Sequence, residues 1–306
     1  MKRKALFSCF LVMILWGLLF PMVKLGYKLF AIQSTGDILT FAGMRFLVCG
    51  AVITVFSWVR RPKSISTVRN NIPGVLLSGL FAIILHYACT YIGLDLTNGS
   101  KTAILKQLGA VFYICFSAVF FPEDRLTVKK VLGLLLGVCG ILAINADAKG
   151  FSFGWGDVLI IGASFCTVFS NITSKKVFAV VEPIAATGVS QLFGGAVLLA
   201  VGILAGGKVQ TALPETLPQL GIFAAIAAAS TVSYCLWFLV VKKENLSKLF
   251  LIKFTEPLFA AVFGWLLLGE DVWNLRYISA FLLISAGILT ANLKSPKDNR
   301  SVTHEK

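Results

Sequence analysis

Three cations and one carboxylate lie where the chain is otherwise apolar enough to cross a bilayer. Lys253 and Glu256 fall inside SKLFLIKFTEPLFAAVFGWLLLGED, residues 247–271; Lys106 falls inside SKTAILKQLGAVFYICFSAVFFPED, residues 100–124; Arg45 falls inside a third apolar run. A charge within a spanning segment is costly and faces a cavity or a partner. Lys253 and Glu256 are three residues apart, so on one continuous helix they meet on one face. Two readings of Glu256 stand. It is a structural partner of Lys253 that lets the helix insert, or a proton-coupling carboxylate whose proton affinity burial raises and Lys253 lowers. Interior cations outnumber interior carboxylates, and an uncompensated cation in low dielectric calls for an anion. The pattern points to a substrate bearing a carboxylate or phosphate, with Lys106 and Arg45 as its contacts. The alternative is that Lys106 and Lys253 snorkel from opposite ends. His86, Tyr87, Gln107, Tyr113, Gln191, Tyr234 and Trp237 are the other polar or aromatic candidates for a midplane cavity. Aromatics such as Tyr87 and Trp237 suit the ammonium or side chain of an amino acid. A lone histidine such as His86 also fits as hydrogen-bonded core.

The composition sets the stage for these groups. Of 306 residues, 57% are hydrophobic and 14% charged, with mean hydropathy +0.85. Soluble domains are about half apolar and a quarter charged. The class is therefore a polytopic membrane protein, with no polar stretch long enough to fold as a water-soluble domain. The net charge of +14 comes from cations that flank apolar segments, as membrane topology requires, and does not indicate a nucleic-acid partner. The seven cysteines lie in apolar runs without zinc or CxxC spacing, so no disulfide framework, metal or cofactor is expected. No HExxH, P-loop or nucleophile–base signature is present, which speaks against an enzyme and against a self-contained ATP-driven pump.

The elements that must position the site repeat. Lys106, Glu123 and Asp124 recur 147 residues later as Lys253, Glu270 and Asp271, and Gly140, Ile141, Leu142 and Asn145 recur as Gly287, Ile288, Leu289 and Asn292. Arg45 and Gln191 are equivalent at a shift of 146. We expect an all-α membrane protein of ten transmembrane helices around a central cavity: a first five-helix repeat over 1–148, a second over 149–293 and a cytoplasmic tail over 294–306. Lys2, Arg3 and Lys4 precede the first span, which Pro21 is expected to kink. A strongly basic loop, 60–69, follows the second. The ninth span is the whole stretch 247–271. An N-terminus in the cytoplasm leaves only Lys28, Lys101, Lys149, Lys208 and Arg276 outside, so both termini are expected to be cytoplasmic. Five spans per half invert the second copy relative to the first, which is a physical basis for alternating access.

The chain resembles the drug/metabolite transporter superfamily, in its EamA-type branch, over residues 5–293. The resemblance is carried by Trp16-Gly17, Met44-Arg45-Phe46, Glu256-Pro257 with Gly264, Leu268-Gly269-Glu270, and Gly287. The first half departs from it, with Gly109-Ala110 where the second has Glu256-Pro257, so a proline-induced kink is expected in only one of the paired helices. The resemblance implies a ten-helix inverted-repeat exporter of amino acids, related metabolites or drugs in a bacterial plasma membrane. With the basic cavity, the expected function is secondary active export of an amino acid or related carboxylate by alternating access, with Glu256 serving either proton coupling or a structural ion pair with Lys253. The alternative is multidrug or quaternary-amine efflux, which would prefer an acidic aromatic cavity.

Overall fold

A computed structural model describes residues 3–96, 105–106, 108–122, 124, 126–145, 154–269 and 275–292. Gln107, the second-copy residues Glu270 and Asp271, the boundary near 148 and the tail lie outside the described residues.

The described elements are helices: α1 Arg3–Leu29, α2 Thr35–Arg60, α3 Pro62–Arg69, α4 Ile72–Gly79, a π-helical segment Leu80–Leu85, α5 His86–Leu96, α6 Leu108–Phe120, α7 Val128–Asn145, α8 Trp155–Val177, α9 Pro183–Leu204, α10 Leu217–Lys243, α11 Leu246–Lys253, α12 Glu256–Leu268 and α13 Leu275–Asn292, with a short 3₁₀ turn at Val209–Ala212. Among the described residues, seven helical stretches are long and apolar enough to cross a membrane. The molecule is an all-α, multi-pass membrane protein. Side chains such as Val52, Val55, Trp58, Leu204, Leu217 and Phe281 are exposed on its outer surface, as a lipid-facing wall requires.

Local chemistry sets several boundaries. Ser34 begins α2 by accepting from the Asp37 amide at 3.0 Å. Thr216 and Gln219 form a capping box at α10, and Asn245 caps α11. Three expectations change. The basic loop 60–69 is largely the helix α3, started by Pro62 in its first turn. The third expected span contains the π segment, where one residue more per turn is accommodated. The stretch 247–271 is broken rather than continuous: α11 stops at Lys253 and α12 starts at Glu256. Pro257 explains the break, because it has no N–H for the Lys253 carbonyl and its ring excludes an unbroken turn. Phe254 and Thr255 close the gap with amide bonds to Leu251 and Ile252, at 3.3 and 2.9 Å.

Equivalent helices pack on each other. α2 lies against α9, and α7 against α13. The α2–α9 pair is antiparallel. Gly36 meets Gly207 while Thr54 meets Gly188, and Gly133 meets Gly287. A Cβ on Gly195 would stand 2.5 Å from the Leu47 amide, so only small residues allow this approach. α1 packs on α10 and α12, and α5 packs on α8. One end of the bundle joins the end of α1 to the start of α10 through Gln219 and the Leu29 carbonyl, and the start of α2 to the Lys208 loop through Asp37. The other end gathers Arg61 with Glu182, Lys175 with the Glu244 carbonyl, and Asp124 with Ser247. Most cations assigned to the cytoplasmic side from sequence fall at this second end.

Candidate substrate site in the helix bundle

The bundle centre is an aromatic cluster with two cations in it. Tyr87 on α5 and Tyr234 on α10 share a hydrogen bond of 2.9 Å between hydroxyls 147 residues apart, the repeat spacing. Phe46 on α2 lies 4.7 Å from Tyr87 and 6.0 Å from Tyr234, centroid to centroid. Trp16 on α1 lies 5.9 Å from Tyr234 and 5.0 Å from Trp237. Trp237 donates from Nε1 to Asn171 Oδ1 at 2.7 Å, and Asn171 in turn donates to the Thr167 carbonyl. That chain fixes the indole plane from α8.

The cations sit on these rings. The Arg45 guanidinium lies 4.4 Å from the Phe46 centroid and 5.4 Å from that of Tyr87. Its residue is 3% exposed and its Nε has no hydrogen-bond partner. Lys253 Nζ lies 5.1 Å from Trp16 and 5.6 Å from Trp237. A ring face attracts a cation but does not neutralise it, and a desolvated cation–π contact contributes about 2 kcal/mol. Both sites therefore retain an appetite for an anion.

Lys106 points elsewhere, with Nζ 5.4 Å from Phe20 on α1. Glu256 is half-buried in the first turn of α12, where a carboxylate suits the helix dipole. It lies within electrostatic reach of both Lys106 and Lys253. Among the described residues no ion pair within 4 Å joins it to either.

The other candidates are dispersed. His86 stacks edge-on to Tyr87 at 4.9 Å, and its Nδ1 lies 3.1 Å from the Ala163 carbonyl and from Thr167 Oγ1. A carbonyl only accepts, so Nδ1 carries the proton and His86 ties α5 to α8. Tyr113 is fully buried away from the cluster and donates to Asp124 at 3.0 Å. Gln191 is 1% exposed at the α2–α9 contact, its backbone against Gly50, with both amide atoms unpaired. Gln107 lies outside the described residues. The cluster also contains Trp16, Phe46 and Asn171, which sequence reasoning left out of the candidate site. Trp16 and Phe46 were legible as neighbours of Gly17 and Arg45, and Asn171 as an amide inside an apolar helix. Among the described residues no group of His, Cys, Asp or Glu side chains could hold a metal ion.

The EamA-like transporter family matches the chain twice, over residues 3–146 and 154–292. Similar proteins include the uncharacterized inner membrane transporter YedA of Escherichia coli, 22% identical over 92% of this chain and 89% of its own length. The uncharacterized transporter YvbV of Bacillus subtilis is 27% identical over 96% and 92%. A chloroplastic WAT1-related protein of Arabidopsis thaliana is 29% identical over 63% of this chain, and that match spans about half, 48%, of the plant protein. A crystal structure whose description names no function shares the fold, with TM-score 0.76 and 20% identity over 95% of this chain and 97% of that one.

Proposed function

The chain belongs to the EamA-like transporter family, and on that premise we propose that it carries a small carboxylate-bearing metabolite, an amino acid being the best fit, across the plasma membrane by alternating access. One observation carries the substrate class: Arg45, 3% exposed, meets ring faces and no carboxylate among its described contacts. A substrate carboxylate would supply the missing anion, and Tyr87 and Tyr234 would border the rest of an amino acid. Lys253 is a second cationic contact. Lys106, Gln107, His86 and Gln191 remain assigned to the cavity as sequence-based proposals, with His86 tied to α8 in the conformation described; Tyr113 is bound to Asp124 outside the cluster. Glu256 is the proposed coupling carboxylate, within electrostatic reach of Lys106 and Lys253. Export is the proposed direction, with both termini cytoplasmic, and the inner-membrane name of YedA supports that address. A quaternary-amine substrate fits less well, because the Trp16 and Trp237 faces that would hold it already face the ammonium of Lys253.

The test is uptake of labelled amino acids by purified protein in liposomes, with and without an imposed proton gradient. Arg45→Gln is expected to raise the apparent KM by at least about tenfold, since a charge-assisted hydrogen bond contributes about 1.5–3 kcal/mol. Glu256→Gln is expected to abolish the response to the gradient while leaving substrate exchange. An unchanged KM in folded Arg45→Gln protein sinks the anion assignment.

A further inference from the structure

The end of the bundle rich in cations contains a second built feature, separate from the aromatic cluster. α2 runs out in Phe56-Ser57-Trp58-Val59-Arg60-Arg61, and α3 begins at once with Pro62. Between this corner and the start of α9 lies an open cavity of about 390 Å³, lined by Phe56, Ser57, Arg60, Arg61, Glu182 and Ile184 among others. A neighbouring cavity shares Arg61 and Glu182 and adds Lys63.

Four features converge on an anion with an apolar tail. Arg60, Arg61 and Lys63 bring three cations to one corner, all exposed and so unburdened by deep burial. No side chain caps the N-terminus of α3, an eight-residue helix that opens here; Pro62 brings no N–H and the Ser64 amide donates to the Arg61 carbonyl, which leaves the Lys63 amide for an acceptor. Ser57 is among the lining residues and 4% exposed, and its buried Oγ has no hydrogen-bond partner. A buried hydroxyl without a partner costs about 1–3 kcal/mol, which a phosphate oxygen would recover. The last feature is apolar: Phe56, Trp58, Val55 and Val59 are 52–68% exposed on the adjoining face, as lipid-facing side chains of a membrane protein are. Trp58 has the character of an interfacial anchor. Glu182 opposes an anion, but its carboxylate is engaged in capping α9, with Oε2 accepting from the Ala185 amide at 2.8 Å.

We propose that this groove binds the phosphate headgroup of an anionic phospholipid, with Arg60, Arg61 and Ser57 on the phosphate and the acyl chains along Phe56 and Ile184. Bidentate guanidinium contacts suit a phosphodiester. The site fixes the α2–α3 corner against α9 at the headgroup level, and it does not depend on what the aromatic cluster carries. A soluble phosphate ester would satisfy the polar half of the site but leave Phe56 and Ile184 unmatched, which favours the lipid.

The experiment is native mass spectrometry and thermal unfolding of the full chain in detergent, titrated with phosphatidylglycerol, phosphatidylcholine or soluble glycerol 1-phosphate. The expected result is retained phosphatidylglycerol adducts, a rise in unfolding temperature with that lipid alone, and at least a fivefold loss of adducts in the Arg60→Gln/Arg61→Gln double variant. Arg60→Lys/Arg61→Lys should recover part of the binding, and Ser57→Ala should weaken it less than the double change. Lys208→Gln, at the opposite end of the bundle, should bind as the parent does. Equal retention of phosphatidylcholine, or undiminished phosphatidylglycerol on a folded double variant, overturns the site. Stabilisation by glycerol 1-phosphate as strong as by the lipid overturns the lipid as its occupant.

Discussion

Asp124 is 2% exposed in the turn between α6 and α7, and three parts of the chain meet on its carboxylate. Tyr113 donates to Oδ2 at 3.0 Å, the Ser247 amide donates to the same oxygen at 3.1 Å, and Lys130 pairs with Oδ1. Burial alone would raise the carboxyl's proton affinity, but the bonds from Lys130 and Ser247 outweigh it and hold the group below its ordinary value of 3.8. A depressed carboxylate contributes stability that is present above the unfolded value and is lost as pH falls through the folded one. The parent protein should therefore keep this contribution at neutral pH and lose it below about pH 4, whereas Asp124→Asn should show no such acid limb. At neutral pH that variant should lose about 3–5 kcal/mol, because Lys130 loses its partnered charge, and Tyr113→Phe should lose about 1 kcal/mol. Thermal unfolding across pH measures all three, and parallel pH profiles for parent and Asp124→Asn would refute the assignment. This clamp was only half legible. Asp124 stood out through its copy at Asp271, but Tyr113 read as a cavity residue because sequence reports polarity in an apolar run and not which way the ring faces. Arg45, Tyr87, Tyr234, Trp237 and Lys253 converged because each belongs to an element that the fold turns towards one axis.

Along the helices, the residues that carried the family resemblance have backbone reasons. A Cβ on Gly17 would lie 2.5 Å from Phe259 Cβ and 2.8 Å from the Ala260 amide, so α1 rests directly on α12. Gly269 ends α12 at φ 69, a conformation that costs an L side chain about 1–2 kcal/mol. Gly17→Ala should push α1 off α12, lowering stability by about 1–3 kcal/mol and lowering transport with it, since Trp16 is carried on that turn. Gly221→Ala on α10, where nothing lies within 4 Å, should be neutral or stabilising by about 0.5–1 kcal/mol. Paired unfolding and uptake measurements check this; equal behaviour of the two variants would mean that the α1–α12 approach is not tight. Helix existence was readable from apolar runs. The break between α11 and α12 was legible as the kink that Pro257 implies, inside a run that still reads as one span. The π segment at Leu80–Leu85 leaves no mark in composition at all.

The molecule as a whole is assembled on equivalent pairs: α2 with α9, α7 with α13, Tyr87 with Tyr234. α2 and α9 run in opposite directions, so a rotation that carries one onto the other reverses its ends. The duplication itself was visible in the 147-residue spacing, and the antiparallel contact gives it a geometric sense that spacing lacks. Lys63 follows α2 at one end of the bundle, and Lys208, at the same place in the second copy, follows α9 at the other. If the copies are inverted across the membrane, these two positions lie on opposite sides of it, with Lys63 inside by the distribution of cations. In a background with the seven native cysteines replaced, Lys208→Cys should react with a membrane-impermeant maleimide on intact cells. Lys63→Cys should react only after the membrane is opened. Labelling of both from the same side would remove the inverted arrangement, and with it the symmetry that lets two copies exchange conformations to alternate access. Opposite labelling with the senses exchanged would keep the symmetry and place the termini outside. The expected pattern ties the direction of the chain, the cation-rich end and the central aromatic cluster to one frame: Arg45 and Lys253 then lie between two faces that the same helices open in turn.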